Sequence, residues 1–275
     1  MQHLDRSEIK VVTGASMGLL CAYALVTDKL DVFEGIYRNI NIGKRAELFY
    51  QVFFKKLLWK EISEAVSLKD EVQIPLAFPV CYVPVYNVRY FWIHGKYNPV
   101  WEKYFRAAIN YPFLNIFPSA LDHRFAIDGG AADNIPLYPL LKKGPDYLGA
   151  NEKFDLILVM HFDARYDYRK EFSPDIPVLD MDLGICNNFK KNHYDFSAEY
   201  VNEMITKGEE YGEKICERLF TGDVSKEALQ KKVDAIFLEE HASRQKNISV
   251  DRFFSWLNLV GRALRSDSRC NKRLY

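Results

Sequence analysis

The sequence predicts an α/β fold: a three-layer α/β/α sandwich around a mainly parallel sheet, with a helical C-terminal portion. Three observations point there. A short β-branched run, Glu8-Ile-Lys-Val-Val-Thr13, passes through a glycine-bearing turn into an apolar stretch too long for a strand. A later segment, Phe154-Asp-Leu-Ile-Leu-Val-Met160, is apolar almost throughout, as a strand covered on both faces would be. In the last third, apolar residues recur at helical spacing. Strands alternating with helices build layered α/β domains.

The elements follow in order. Glu8–Thr13 reads as the first strand and Gly14–Gly18 as a tight turn. Met17–Thr27, with Ala22 and Ala24 inside it, reads as a buried helix. Ala46–Val66 is a second helix. Gln73–His94, rich in Val, Tyr, Phe and Pro, looks like short strands with turns, and Val100–Ile109 is helical. Phe125-Ala-Ile127 is a short strand running into Asp128-Gly129-Gly130. Beyond the Phe154–Met160 strand, Val201, Met204, Ile205, Gly208, Tyr211, Gly212, Ile215 and Leu219 mark one helix. Leu229, Val233, Ile236 and Phe237 mark a second, and Phe253–Leu264 a third. No linker is visible. The chain therefore reads as a single domain, 1–275, with a core of about 8–165 and a helical portion of about 196–265.

With 275 residues, 48% of them hydrophobic and 15% aromatic, a large core is affordable and disorder as the main state is excluded. Lys+Arg and Asp+Glu both number 37, so no global field draws in nucleic acid. Five cysteines (Cys21, Cys81, Cys186, Cys216, Cys270) form no CxxC pair. Reduced thiols in the cytosol fit better than a disulfide framework or a zinc site. The charged start, with Asp5, Arg6, Glu8 and Lys10, is unlike a signal peptide. Val11–Val26 is shorter than the roughly 20 residues of a span, and Thr13, Gly14, Ser16 and Gly18 interrupt it. The expectation is a soluble, cytoplasmic protein. Contact with a membrane surface stays open, because Arg262–Tyr275 holds five basic side chains against Asp267, although a solvated terminus is the default reading of that tail. Tyr86–Phe117 is crowded with aromatics, Trp92 and Trp101 among them, and reads mainly as core. An acyl pocket or a bilayer contact is its other reading.

Gly14-Ala15-Ser16-Met17-Gly18 is a G-x-S-x-G sequence between a predicted strand and a predicted helix. A strand-to-helix turn this tight is expected to leave no room for a side chain at either glycine. Its serine hydroxyl would point into a cleft at a helix N-terminus, where developing negative charge is favoured. A Gly/Ser turn that binds nothing is the other reading. Asp128-Gly129-Gly130, trailed by Asp133-Asn134-Ile135-Pro136, presents a carboxylate on a turn at a strand end. An ordinary Asx turn is the alternative there.

The two motifs, about 110 residues apart, with Asn-x-Pro just beyond the second, resemble the patatin-like phospholipase family. The resemblance covers most of Ile9 to about Met160. Phe105–Pro112 looks like the region preceding that family's aspartate. Leu179–Gly184, followed by a helix from Ala198, looks like its C-terminal layout. The resemblance implies a patatin-like fold and a catalytic dyad without histidine. Ser16 would be the nucleophile, on an elbow flanked by Gly14 and Gly18. Asp128 would be the base, on a turn with Gly129 and Gly130. It further implies hydrolysis of fatty-acyl esters of phospholipids or related lipids through an acyl-enzyme, with no cofactor and no metal.

The family carries a glycine-rich oxyanion loop upstream of its nucleophile. Only 13 residues precede Gly14 here and none is glycine, so that loop and its strand are expected to be missing. Met1–Leu4 looks like the tail of the helix that follows them. A short start, a fragment and a silent relic would each explain this, and a short start accords best with the presence of both dyad residues. Losing even one oxyanion donor typically costs about 10²–10³ in rate.

Two further readings stand beside the hydrolase. One is a catalytically silent patatin-fold protein that binds lipid or a partner. The other is a Ser-His-Asp esterase built from Ser16, Asp128 and His161 or His193. His161 and Asp163, at a strand end, are expected to be solvated or capping residues. Asp180 and Asp182 are expected on a surface turn rather than at a metal.

Overall fold

The structure is a computed structural model that describes residues 5–39, 69–83, 87–110, 118–141, 154–161, 167–183, 197–244 and 270–273. The elements along the chain begin with β1 (Val12–Thr13), α1 (Met17–Val26), α2 (Leu30–Asn39), β2 (Val72–Val83) and β3 (Asn87–Gly95). They continue with α3 (Pro99–Ala108), β4 (Ser119–Leu121), β5 (Arg124–Asp128) and α4 (Tyr138–Leu141). The last are β6 (Ile157–His161), β7 (Val178–Asp182), α5 (Ala198–Phe220), α6 (Lys226–Arg244) and β8 (Cys270–Arg273). The chain is mixed α/β and divides into two compact units. One is built mainly on Ile9–Pro139, the other on Leu140–His193 and Asn202–Trp256.

The first unit holds a sheet of order β4-β5-β2-β3-β8, with β1 also on β2. It is a mixed sheet, not the mainly parallel one expected. β1 and β8 run parallel to their neighbours, whereas β2–β3, β2–β5 and β4–β5 are antiparallel. Connection length decides the β2–β3 and β4–β5 pairs. Three residues join β2 to β3 and two join β4 to β5, whereas a parallel pair needs a crossover of a dozen or more. The β4–β5 link, Asp122-His123, has φ of 51° and 59°, as a type I′ hairpin turn requires.

Where short strands with turns were expected over Gln73–His94, two long strands of 12 and 9 residues run. Their prolines suggest breaks that do not occur. Pro75 falls in a register irregularity between Val72 and Leu76, where the ladder is already interrupted.

The core of this unit lies between the sheet and its helices. Leu19, Leu20 and Tyr23 of α1 meet Phe78 and Val80 of β2, Phe91 and Ile93 of β3, and Trp101, Tyr104 and Phe105 of α3. Phe105 sits edge-on to Tyr23 at 5.3 Å and to Phe78 at 5.9 Å. α3 starts where its sequence dictates. The Asn98 side chain accepts the Val100 N–H at 2.9 Å, and Pro99 takes the first helical position. Tyr90, Phe91, Trp92, Trp101, Tyr104 and Phe105 are all buried, so the core reading holds for these aromatics. Tyr86 and residues 111–117 lie outside the described residues.

In the second unit β6 and β7 pair in parallel. Phe154–Met160 is not a strand covered on both faces. The strand begins at Ile157, with Ile157, Val159 and His161 buried but Leu158 40% and Met160 57% exposed. β7 is buried at every position, Asp180 and Asp182 included, so these aspartates are not on the surface turn expected. Asp180 tolerates burial because His161 Nε2 and the Tyr168 N–H both bond it, the latter at 2.8 Å.

Leu179 and Met181 pack against Ile215 and Leu219 of α5 and Val233 and Ile236 of α6, as the helical spacing anticipates. Lys232 Nζ closes the α5–α6 turn by donating to the carbonyls of Leu219, Thr221 and Asp223 at 2.8, 2.9 and 2.7 Å. The expected helices Ala46–Val66 and Phe253–Leu264 lie outside the described residues. Among those described, no helix is long and apolar enough to cross a membrane.

Candidate active site

The site is laid out by the register of β2. β1 pairs with β2 at Leu76 and Ala77, and β5 pairs with it from Val80 to Val83. β3 occupies the opposite side of β2 over this whole stretch. β1 and β5 therefore share one side, and their C-terminal ends face each other across Phe78 and Pro79. At about 3.3 Å per residue, the interval from Ala77 to Val80 is about 10 Å. Proline is tolerated at 79 because, among the described residues, that side of β2 has no ladder partner there.

The β1 end delivers Ser16. The Gly14 N–H bonds the Ala77 carbonyl at 3.1 Å, extending the strand by one residue before the chain turns. A Cβ on Gly14 would lie 2.6 Å from the Gly18 oxygen and 2.9 Å from Leu19 Cα, so only glycine fits. Gly18 is different. A Cβ there meets no described atom within 4 Å, contrary to the expectation that both flanking positions are closed. Gly18 lies on the exposed side of α1, so a substituent would point away from the turn.

Ser16 has φ 54° and ψ −126°, a conformation strained for any residue with a side chain. It occupies the N-cap of α1 yet makes no side-chain cap bond. Its hydroxyl is left for another use, beside a helix start whose first N–H groups have no acceptor within the helix.

The β5 end delivers Asp128. This residue pairs with Val80, and its N–H bonds the Asn110 carbonyl at 3.0 Å. The chain then folds into a tight helical turn, Gly129–Ala131. A Cβ on Gly129 would overlap the Pro79 carbonyl and sit 2.6 Å from Pro79 Cγ, so glycine is required. The Gly130 N–H donates to Asp128 Oδ1 at 2.7 Å. The Cβ position of Gly130 is 3.1 Å from that same oxygen and 3.4 Å from Ser16 Cβ. Gly130 thus sits between the acid and the serine, and the two turns meet there.

Asp128 is fully buried, and among the described residues its Oδ2 has no hydrogen-bond partner. Burial pushes the carboxyl pKa up from 3.8 to about 6, against the opposite pull of the Ser16 hydroxyl and the Gly130 N–H. The hydroxyl is close enough to act on the carboxyl, but it forms no bond of full geometry with Oδ2. Catalytic hydrogen bonds commonly stay loose until substrate arrives. The Cys81 thiol is buried nearby; burial first, and then the charge on Asp128, push it up to about 12.

Ser16, Asp128, Gly14, Gly129 and Gly130 are thus brought together. Three further residues hold the site that the motifs do not announce. Pro79 shapes the gap, Asn110 anchors the Asp128 backbone, and Tyr90 bonds the buried Asp133. Asp133 is visible within Asp-Asn-Ile-Pro, but its partner stands 43 positions upstream and no local pattern joins them.

His161 is 1% exposed and bonded to Asp180, not solvated or capping as expected. The packing of β6 draws it inward. His193 and Asp163 lie outside the described residues. Among the described residues, no group of three or more His, Cys, Asp or Glu is placed to hold a metal ion. Compared with known proteins, the chain matches no protein family model, and no curated protein matches it significantly.

Proposed function

We propose that the chain is a lipid acyl hydrolase on a patatin-like α/β/α frame, cleaving fatty-acyl esters of phospholipids or related lipids with Ser16 and Asp128 as its dyad. The observation that carries this reading is a strained serine, unused as a cap, against a buried carboxyl with one open oxygen. An ordinary aspartate is a poor base, with a pKa near 3.9 against about 6.5 for histidine. At about 6, Asp128 has most of the basicity that a histidine would bring.

The steps follow from that geometry. Ser16 Oγ attacks the ester carbonyl carbon while its proton passes to Asp128. The oxyanion faces the N-terminus of α1, where the Met17 N–H is the nearest donor in sequence. Collapse breaks the ester bond, and the leaving alcohol takes the proton from Asp128. Water then attacks the acyl-serine and gives its proton to Asp128. The fatty acid departs as Ser16 Oγ recovers that proton. Met17, 41% exposed, offers apolar surface to the acyl chain directly beside the nucleophile. A lipid substrate also calls for contact with a membrane surface, which the basic residues of 262–275 favour.

The test is hydrolysis of p-nitrophenyl butyrate and of phospholipid vesicles. Ser16→Ala is expected to abolish turnover, and Asp128→Asn to lower it about 10²–10⁴-fold. His161 variants that fold should retain activity. The wild-type kcat/KM should rise with pH through about 6 as Asp128 ionises, then level off. Turnover that survives Ser16→Ala would refute the dyad. Vesicle binding without any hydrolysis would favour a silent lipid-binding protein instead.

A further inference from the structure

Pro79 and Tyr90 stand opposite each other in the β2–β3 ladder, and both reach the turn that follows Asp128. The Pro79 carbonyl packs on Gly129 so closely that no Cβ fits. Tyr90 Oη donates a hydrogen bond to Asp133 Oδ2. Between these two points the Gly129 carbonyl accepts the N–H groups of Ala132 and Asp133, at 3.0 and 2.8 Å. One rung of the sheet therefore grips the turn at both ends. Tyr90 is fully buried, stacked on Tyr138 at 5.1 Å and packed with Ala132, while Asp133 is 1% exposed.

A carboxyl and a phenol are a poor way to fill a core. Apolar groups of the same shape would serve stability at least as well. What the polar pair adds is direction, because a hydrogen bond fixes an orientation that packing alone leaves loose.

We infer that Tyr90 and Asp133 are positioning residues for the dyad. Their bond holds the 129–133 turn so that the Gly130 N–H engages Asp128 Oδ1 and the second oxygen stays open to the Ser16 proton. This rests on the dyad reading of function. Among the described residues, the groups that act on Asp128 or feel its charge are the Ser16 hydroxyl, from the turn before α1, and the Cys81 thiol, from β2.

The experiment compares Tyr90→Phe, Asp133→Ala, Asp133→Asn and the double variant Tyr90→Phe/Asp133→Ala in the full chain. One readout is kcat and KM on p-nitrophenyl butyrate. The other is the carboxyl ¹³C titration of Asp128 in protein labelled at aspartate, assigned by its loss in Asp128→Asn. A misplacement of about 1 Å costs up to ~10²-fold, so Tyr90→Phe and Asp133→Ala should each lower kcat roughly 10–100-fold with KM little changed. The double variant should be no worse than either single one, since all three break the same contact. Asp133→Asn, which keeps an acceptor for Tyr90, should recover most of the loss.

The Asp128 titration should move further above the ordinary carboxylate range in the two bond-breaking variants, because the Gly130 N–H that pulls it down is no longer held on Oδ1. If Tyr90→Phe does not fold, the contrast between Asp133→Ala and Asp133→Asn decides. Folded variants with unchanged kcat and unchanged titration would overturn the inference, as would single losses that multiply in the double variant. A wild type without Ser16-dependent hydrolysis overturns the dyad instead, while the titration still reports whether the pair positions Asp128.

Discussion

Asp128→Asn should slow hydrolysis about 10²–10⁴-fold and, above pH 6, make the protein more stable. Burial raises this carboxyl from 3.8 to about 6. The folded state therefore binds the proton more tightly than the unfolded chain. Its contribution to stability is complete below pH 4, falls as pH rises from 3.8 to about 6, and is gone above that. At 1.36 kcal/mol per unit, the ionised carboxylate costs the fold on the order of 3 kcal/mol at pH 8. Asparagine has the same shape, keeps an acceptor for the Gly130 N–H and carries no charge. It should remove most of that cost at pH 8 and only about 1 kcal/mol at pH 4.5. Urea unfolding followed by tryptophan fluorescence reads the difference, since Trp92 and Trp101 are both buried in the unit that holds Asp128. With slopes of about 1–3 kcal/mol per molar, the midpoint should shift upward by roughly 1–3 M at pH 8. Equal midpoints at pH 8, or the same gain at pH 4.5, would mean that the carboxyl is not desolvated. The account of its basicity would then fall.

Four other variants have expected outcomes. Ser16→Gly releases a positive-φ strain of about 1–3 kcal/mol, partly offset by the chain entropy of glycine. It should raise the urea midpoint while abolishing hydrolysis. Gly129→Ala drives a methyl group into the Pro79 backbone and should destabilise by at least about 1–3 kcal/mol. Gly18→Ala meets open space within a helix and should stabilise by up to ~1 kcal/mol, so the two alanine variants should move the thermal midpoint in opposite directions. Lys232→Met removes a charged donor from three carbonyls at the α5–α6 turn. About 1–2 kcal/mol should be lost, seen as faster hydrogen exchange at the end of α5 while the amides of β2 are unaffected.

The parts of the fold that were legible in the sequence are those governed by neighbouring residues. The turn at Gly14 and the apolar helix after it are set by local sterics and form as read, whereas the strand read over Glu8–Thr13 shortens to Val12–Thr13, with Arg6–Glu8 in a 3-10 turn. The α5 and α6 stripes were legible because helical period is a local signal. Pairing direction was not. Whether Val72–Val83 lies parallel or antiparallel to its neighbours depends on connections whose lengths become plain only once the strand ends are known. Prolines at 75 and 79 suggested breaks, because the irregularity and the gap that accommodate them belong to the sheet and not to the strand. Asp180 looked like a surface residue because its partners, His161 and the Tyr168 N–H, are tertiary. At the site, the juxtaposition of Ser16 and Asp128 was anticipated from two short motifs. The grip of Pro79 and Tyr90 on the turn was not, since it arises only where β2 and β3 lie side by side.

The interval from Ala77 to Val80 acts as a ruler. The hydroxyl and the acid come from distant stretches of chain, and what sets their spacing is the count of residues in a third. Inserting one residue into that interval would lengthen it by about 3.3 Å and send every later side chain of β2 to the opposite face. What these few backbone steps hold fixed is their number, more than the side chains they carry.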